Sequence, residues 1–131
     1  MATVTKTFSF EAAHFLPDYP GKCANMHGHH FEVAVTVRGA IDPDTGFVVD
    51  FSDIKKRVVA PVQNLYDHKV FNECSPFDKG LRPTAENLGK EIFLLAIKTL
   101  EHAGSVRIQK VRVWETPDNW TTIYRDDVEG L

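Results

Sequence analysis

The sequence has few cysteines, no long apolar run and no excess of one charge, and each shortage removes a class of function. Two cysteines, Cys23 and Cys74, are too few for a disulfide framework, so the fold must be held by a hydrophobic core. No apolar run approaches the roughly 20 residues that span a bilayer, so no membrane partner is expected. The opening Met1-Ala2-Thr3-Val4-Thr5-Lys6 lacks a secretory apolar region, and the expectation is a cytoplasmic protein with reduced thiols. The formal net charge is only −3, with acids and bases interleaved, which gives no reason to expect nucleic acid. There is no Gly-rich dinucleotide fingerprint, internal repeat or low-complexity tract. What remains is a chain of 131 residues with 43% hydrophobic and 25% charged side chains, read as one domain, residues 1–131, with one core.

What is present centres on Cys23-Ala24-Asn25-Met26-His27-Gly28-His29. In an extended backbone residues i and i+2 share a face about 7 Å apart, so His27 and His29 can aim at one ion from one side of a sheet. Residues 4–14 read as a strand in which Phe8, Phe10, Ala12 and His14 share the apolar parity. A lone histidine at such a position is most often a core residue bonded to a backbone carbonyl, but His14 has two more imidazoles nearby in sequence. The loop 15–25, marked by Pro17, Pro20 and Gly21, delivers Cys23 to the front of a second strand, 27–38. There His27, His29, Phe31, Val33, Val35 and Val37 share one face, and His30 points to surface or interface.

Residues 47–51 read as a short third strand of a hairpin, and Ser52 as the N-cap of a first helix with Ile54, Val58, Val62 and Leu65 as its buried stripe. Pro61 falls inside this helix, placed to kink or end it. Thr84 reads as the N-cap of a second helix that buries Leu88, Ile92, Leu95, Ala96 and Leu100 and stops at Gly104, with His102 a solvated last-turn residue. Strands at 108–116 and 120–126 close the chain. The class is α+β: an antiparallel sheet of four to five strands with two helices on one face. Such a sheet keeps two edges and an open face, and outward aromatics such as Trp114 and Trp120 point to subunits completing one another's sheets.

His14, His27 and His29 make a three-imidazole site for which zinc is the expected metal, since it accepts nitrogen ligands in tetrahedral geometry. Cys23 leaves two readings open. Bound to the metal, its sulfur closes a structural Cys-His-His-His site; standing off, it is a thiol whose pKa a nearby dication lowers, able to take a proton from a bound substrate. Asp67-His68 is a second candidate pair. Glu115 is an acid on the apolar parity of Val111 and Val113, and needs a partner: a planar heterocycle with two N–H donors, or an arginine. Cys74 lies among polar loop residues as a bystander.

Taken together, Phe10-Glu11-Ala12-Ala13-His14, Cys23-x-x-x-His27-Gly28-His29, Asp67-His68, Pro83-Thr84-x-Glu86-Asn87 and Glu115-Thr116 resemble the 6-pyruvoyl-tetrahydropterin synthase and 6-carboxytetrahydropterin synthase family, in order over nearly the whole chain. The resemblance implies a tunnelling fold, in which sheets of several subunits join into a barrel, and a homohexamer of two stacked trimers with active sites at subunit interfaces. It implies zinc on His14, His27 and His29, Cys23 as general base, and Asp67 and His68 assisting proton transfer from a neighbouring subunit. Glu115 would hold the pterin ring, helped by Thr84 and Glu86. The implied substrate is 7,8-dihydroneopterin triphosphate, which loses triphosphate by internal redox without a nicotinamide. Retaining the carbon chain gives 6-pyruvoyl-tetrahydropterin; losing acetaldehyde gives 6-carboxytetrahydropterin, a queuosine and deazapurine precursor. Trp114-Glu115-Thr116-Pro117 resembles the short bacterial carboxy branch, the expectation adopted here, whereas Asp118-Asn119 leans toward the pyruvoyl branch.

Two other classes fit the same histidines. One is a zinc-stabilised module that binds pterins or purines without converting them. The other is a hydrolase using zinc-bound water, for which Glu32, of opposite parity to His29, is badly placed as a base. Lys22 and Arg82 are the charged loop residues offered to the triphosphate.

Overall fold

The computed structural model describes residues 1–128. The last three residues of the expected domain, 129–131, lie outside the described residues. Two long strands form the spine, β1 (Ala2–His14) and β2 (His27–Gly39). They pair antiparallel along their whole length, from Ala2 opposite Gly39 to His14 opposite His27. Strict alternation assigns the faces: Phe10, Ala12, Phe31, Val33, Val35 and Val37 are buried on the inner side, while Glu11, His30 and Glu32 are exposed on the outer side. β4 (Arg107–Thr116) pairs with β2, and β5 (Asn119–Tyr124) pairs with β4, both antiparallel. A two-residue strand, β3 (Lys69–Val70), lies parallel to Ala12–Ala13 at the other edge, giving the order β3-β1-β2-β4-β5.

The inner face is covered by two helical stretches. The first runs through α1 (Phe51–Ile54), a π turn (Lys55–Val59) and α2 (Ala60–Tyr66). The second is α3 (Ala85–Ala96), extended by a π turn (Ile97–Glu101). Thr84 caps α3 as expected, its hydroxyl accepting the Asn87 N–H at 3.2 Å. Gly89 lets α3 approach the sheet: a Cβ there would lie 2.7 Å from Ile123 Cγ1. Just ahead of α3, Pro83 lies against the end of β1, where its carbonyl meets His14.

The α+β class and the helices on one sheet face hold, but several elements differ from their sequence reading. Residues 47–51 form no strand. Asp42 instead closes a turn there, accepting the N–H groups of Asp44 and Thr45. The small edge strand comes from Lys69–Val70, and it is parallel, because the chain returns from α2 alongside β1. The N-cap of α1 is Asp50, which accepts the Ser52 N–H at 2.8 Å, and not Ser52. Pro61 neither ends nor breaks the helix. A widened turn precedes it, closed by the Ala60 N–H to Lys55 carbonyl bond, and Pro61 then sits in the first turn of α2 where its missing N–H costs little. The widened turn stretches the buried period to four residues, so Ile54, Val58, Val62 and Tyr66 face the core and Leu65 is exposed.

Candidate active site

The inner-face parity of β1 and β2 carries past the apolar residues to the end of the sheet, where His14 faces His27 and His29 follows two residues on. The ring centroids of His14 lie 4.6 Å from His27 and 5.3 Å from His29. Phe31 is the floor beneath them, edge-on to His14 and His29 and fully buried. Backbone carbonyls set the tautomers. His14 Nδ1 donates to the Pro83 carbonyl at 2.7 Å, and His27 Nδ1 donates to the Asn25 carbonyl at 2.7 Å. Each bond leaves Nε2 as the lone-pair atom, the arrangement that metal-binding imidazoles use. The carbonyl-bonded core histidine and the metal-facing histidine are thus the same residue, His14, which is 3% exposed.

Glu115 completes the cluster. Its Oε1 lies 3.0 Å from His29 Nε2 and 3.9 Å from His14 Nε2. One ligand atom from each of His14, His27, His29 and Glu115 falls within 4.8 Å of all the others. The register of β4 against β5 slips between Trp114 and Thr116, which makes Glu115 the extra residue of a bulge. Glu115 keeps the inner parity of Val111 and Val113, so it faces the imidazoles at the sheet end. Burial lowers the pKa of His29, and repulsion from His14 and His27 acts in the same direction, against the opposing pull of Glu115. The Nε2 atoms of His14 and His29 are both buried without a hydrogen-bond partner. Buried polar atoms are rarely left so. Two converging imidazole nitrogens without a partner fit a soft-to-borderline cation, and the donor set suits zinc.

The other expected residues lie outside this cluster. Cys23 lies half-buried in a single turn, Lys22–Ala24, and its sulfur is not among the gathered ligand atoms. Asp67 and His68 are not brought into the cluster either. Asp67 Oδ1 accepts the Glu11 N–H at 2.9 Å and lies 3.1 Å from His68 Nδ1. The Glu11 N–H and then His68 hold the Asp67 carboxyl below its ordinary range. His68 adopts a left-handed backbone with φ 59°, tied through its N–H to the Glu11 carbonyl, and its side chain is 77% exposed. Glu86 and Glu115 line one cleft of about 200 Å³ with Asn119 and Trp120, and Glu115 also lines a cleft of about 660 Å³ with His29, Trp114 and Thr116. The Thr84 hydroxyl is engaged as the α3 cap beside them. Arg82 lies 3.9 Å from Asp18, and Lys22 is exposed. The Cys74 thiol donates to the Val70 carbonyl, and burial raises its pKa, in keeping with a bystander.

The sequence reading missed the two orienting carbonyls and the place of Glu115 beside the imidazoles. Pro83 lies 69 residues from His14, and a carbonyl carries no residue-type signal.

The sequence profile described as 6-pyruvoyl tetrahydropterin synthase matches residues 3–126. The chain belongs to that family. It is 30% identical to the 6-carboxy-5,6,7,8-tetrahydropterin synthase of Haemophilus influenzae, covering 92% of this chain and 96% of that one. It is 35% identical to the 6-pyruvoyl tetrahydrobiopterin synthase of Homo sapiens, covering 96% and 92%. The solved 6-pyruvoyl tetrahydropterin synthase of Caenorhabditis elegans superposes with a TM-score of 0.84 at 30% identity, covering 94% of each chain. The family is one of tetrahydropterin synthases acting on a pterin, so the protein is an enzyme of that kind; relatives of both product classes stand at similar identity. Among the described residues, no helix is long and apolar enough to cross a membrane.

Proposed function

We propose that the protein is a zinc-dependent lyase that converts 7,8-dihydroneopterin triphosphate and one water to 6-carboxy-5,6,7,8-tetrahydropterin, triphosphate and acetaldehyde. The observation that carries this reading is the convergence of His14, His27 and His29 on one point, with the Nε2 atoms of His14 and His29 unpartnered, in a chain of the tetrahydropterin synthase family. A zinc ion held by these three imidazoles would supply Lewis-acid chemistry to the hydroxyls of the substrate side chain.

The chain's own residues do the rest. Cys23, outside the ligand cluster, accepts the proton from the side-chain carbon. Asp67 and His68, reaching the site from a neighbouring subunit, relay protons; their exposure on this chain leaves them free to do so. Glu115 accepts the N–H edge of the pterin ring in the cleft it shares with Glu86, and Thr84, the cap of the helix that carries Glu86, assists. Lys22 and Arg82 supply positive charge for the triphosphate. The active assembly is a homohexamer of two trimers, in which the outer sheet faces carrying Trp114 and Trp120 come together as a barrel.

Similar identity to relatives named for the 6-pyruvoyl product supports the alternative that the carbon chain is retained. One assay separates the two: mass spectrometry of the product from 7,8-dihydroneopterin triphosphate, with acetaldehyde measured alongside. Acetaldehyde release supports the carboxy product, its absence with triphosphate release supports the pyruvoyl product, and pterin binding without triphosphate release refutes catalysis. Cys23→Ala is expected to keep metal and fold but lose turnover; loss of metal together with turnover would make Cys23 a ligand.

A further inference from the structure

We propose that Glu115 is the fourth metal ligand of the substrate-free protein and leaves the metal when the pterin site fills. This rests on the reading above only for the identity of the ring that draws it away. Four donors at tetrahedral zinc, each about 2.0–2.1 Å from the ion, lie about 3.3 Å from one another. Glu115 Oε1 stands 3.0 Å from His29 Nε2 and 3.9 Å from His14 Nε2, which brackets that spacing. A carboxylate and three imidazoles whose ligand atoms all lie within 4.8 Å of one another are the donor set of a closed metal site.

Glu115 is also placed to leave. Its side chain is 32% exposed, and it borders the cleft formed with Glu86, Asn119 and Trp120 as well as the one formed with His29 and Trp114. As the extra residue of a bulge, it is less constrained by the sheet than its neighbours. Rotation of one side chain would exchange imidazole neighbours for a ring N–H edge. The exchange opens a coordination position only when the ring is in place, so the substrate-free site does not hold water ready to attack other substrates.

The test compares wild type with Glu115→Gln, without any pterin. Zinc affinity is read by competition with a chromophoric chelator, and the coordination of Co²⁺ as a probe ion is read by visible absorption. Glu115 contributes nothing to the core, and far-UV circular dichroism checks that the variant folds. We expect zinc affinity to fall at least about tenfold and the Co²⁺ spectrum to change. Equal affinity with an unchanged spectrum overturns the proposal. So does weaker binding with an unchanged spectrum, which would make the carboxylate a nearby charge only. Unsubstituted pterin, with its binding followed by fluorescence quenching, should then move the wild-type Co²⁺ spectrum toward that of the variant; an unmoved spectrum at saturation overturns the exchange. Turnover of 7,8-dihydroneopterin triphosphate is scored separately, and its absence strikes the proposed function while leaving the metal comparison intact.

Discussion

Truncating Phe31 should cost the protein more than any other single change at the sheet end. Phe31 is fully buried between the histidine cluster and the core. It stacks on Phe10 at 5.6 Å, meets Phe71 at 5.2 Å, and lies edge-on to His14 and His29 at 5.9 and 5.6 Å. Phe31→Ala removes the ring's transfer energy and leaves a cavity walled by rigid aromatics, which cannot collapse into it. A loss of about 3–5 kcal/mol follows, toward the upper end because several ring pairs go at once. With 131 residues at about 2.1 cal/mol/K each, the unfolding entropy is about 0.28 kcal/mol/K, so the melting temperature should fall by about 11–18 °C. Phe31→Leu fills most of the volume and should cost clearly less. The assay is urea and thermal unfolding in excess chelator at fixed protein concentration, so that neither metal nor assembly masks the difference. A loss below about 1 kcal/mol for Phe31→Ala would refute the view that this ring supports the site.

Three further outcomes follow from the same geometry. Zinc at a hundred times its dissociation constant should stabilise wild type by about 2.7 kcal/mol, or roughly 10 °C in melting temperature, and His14→Ala should abolish that increment, as calorimetry with and without chelator would read. Thr84→Ala should cost about 1 kcal/mol in urea unfolding, because the Asn87 N–H loses its cap; Thr84→Ser should restore most of it. The Asp67 carboxyl is held below its ordinary 3.8 by the Glu11 N–H and His68, so the folded form binds its proton more weakly than the unfolded chain. The stability it adds is present above about pH 3.8 and is lost as pH falls through the lowered value. Urea midpoints against pH should show a shallower acid limb in Asp67→Asn than in wild type, and superimposable limbs would contradict the assignment.

Much of the site could be read in the chain itself, because alternation along a strand is a local property. The parities of residues 8–14 and 27–37 put His14, His27 and His29 on the apolar side, and the pairing of β1 with β2 then brought them together. Thr84 was legible as a cap from its place before the run Leu88, Ile92 and Ala96. Other features were decided by contacts that no local pattern encodes. The Pro61 turn widened rather than breaking the helix, which moved Tyr66 inward and Leu65 outward. The segment 47–51 had strand-like composition but pairs with no strand, and the edge strand beside β1 is Lys69–Val70, which meets only Ala12 and Ala13. The carbonyl of Pro83, which fixes the tautomer of His14, comes from a residue 69 positions away and carries no local signal.

By itself, then, the sequence determined which side chains face the core and which three imidazoles share a strand face, since period and residue type act over a few positions. Only the tertiary structure decided which atoms of those imidazoles point at one another and that Glu115 joins them. Those depend on the pairing of β4 with β2 and on a distant carbonyl, each set by contacts between segments far apart in the chain.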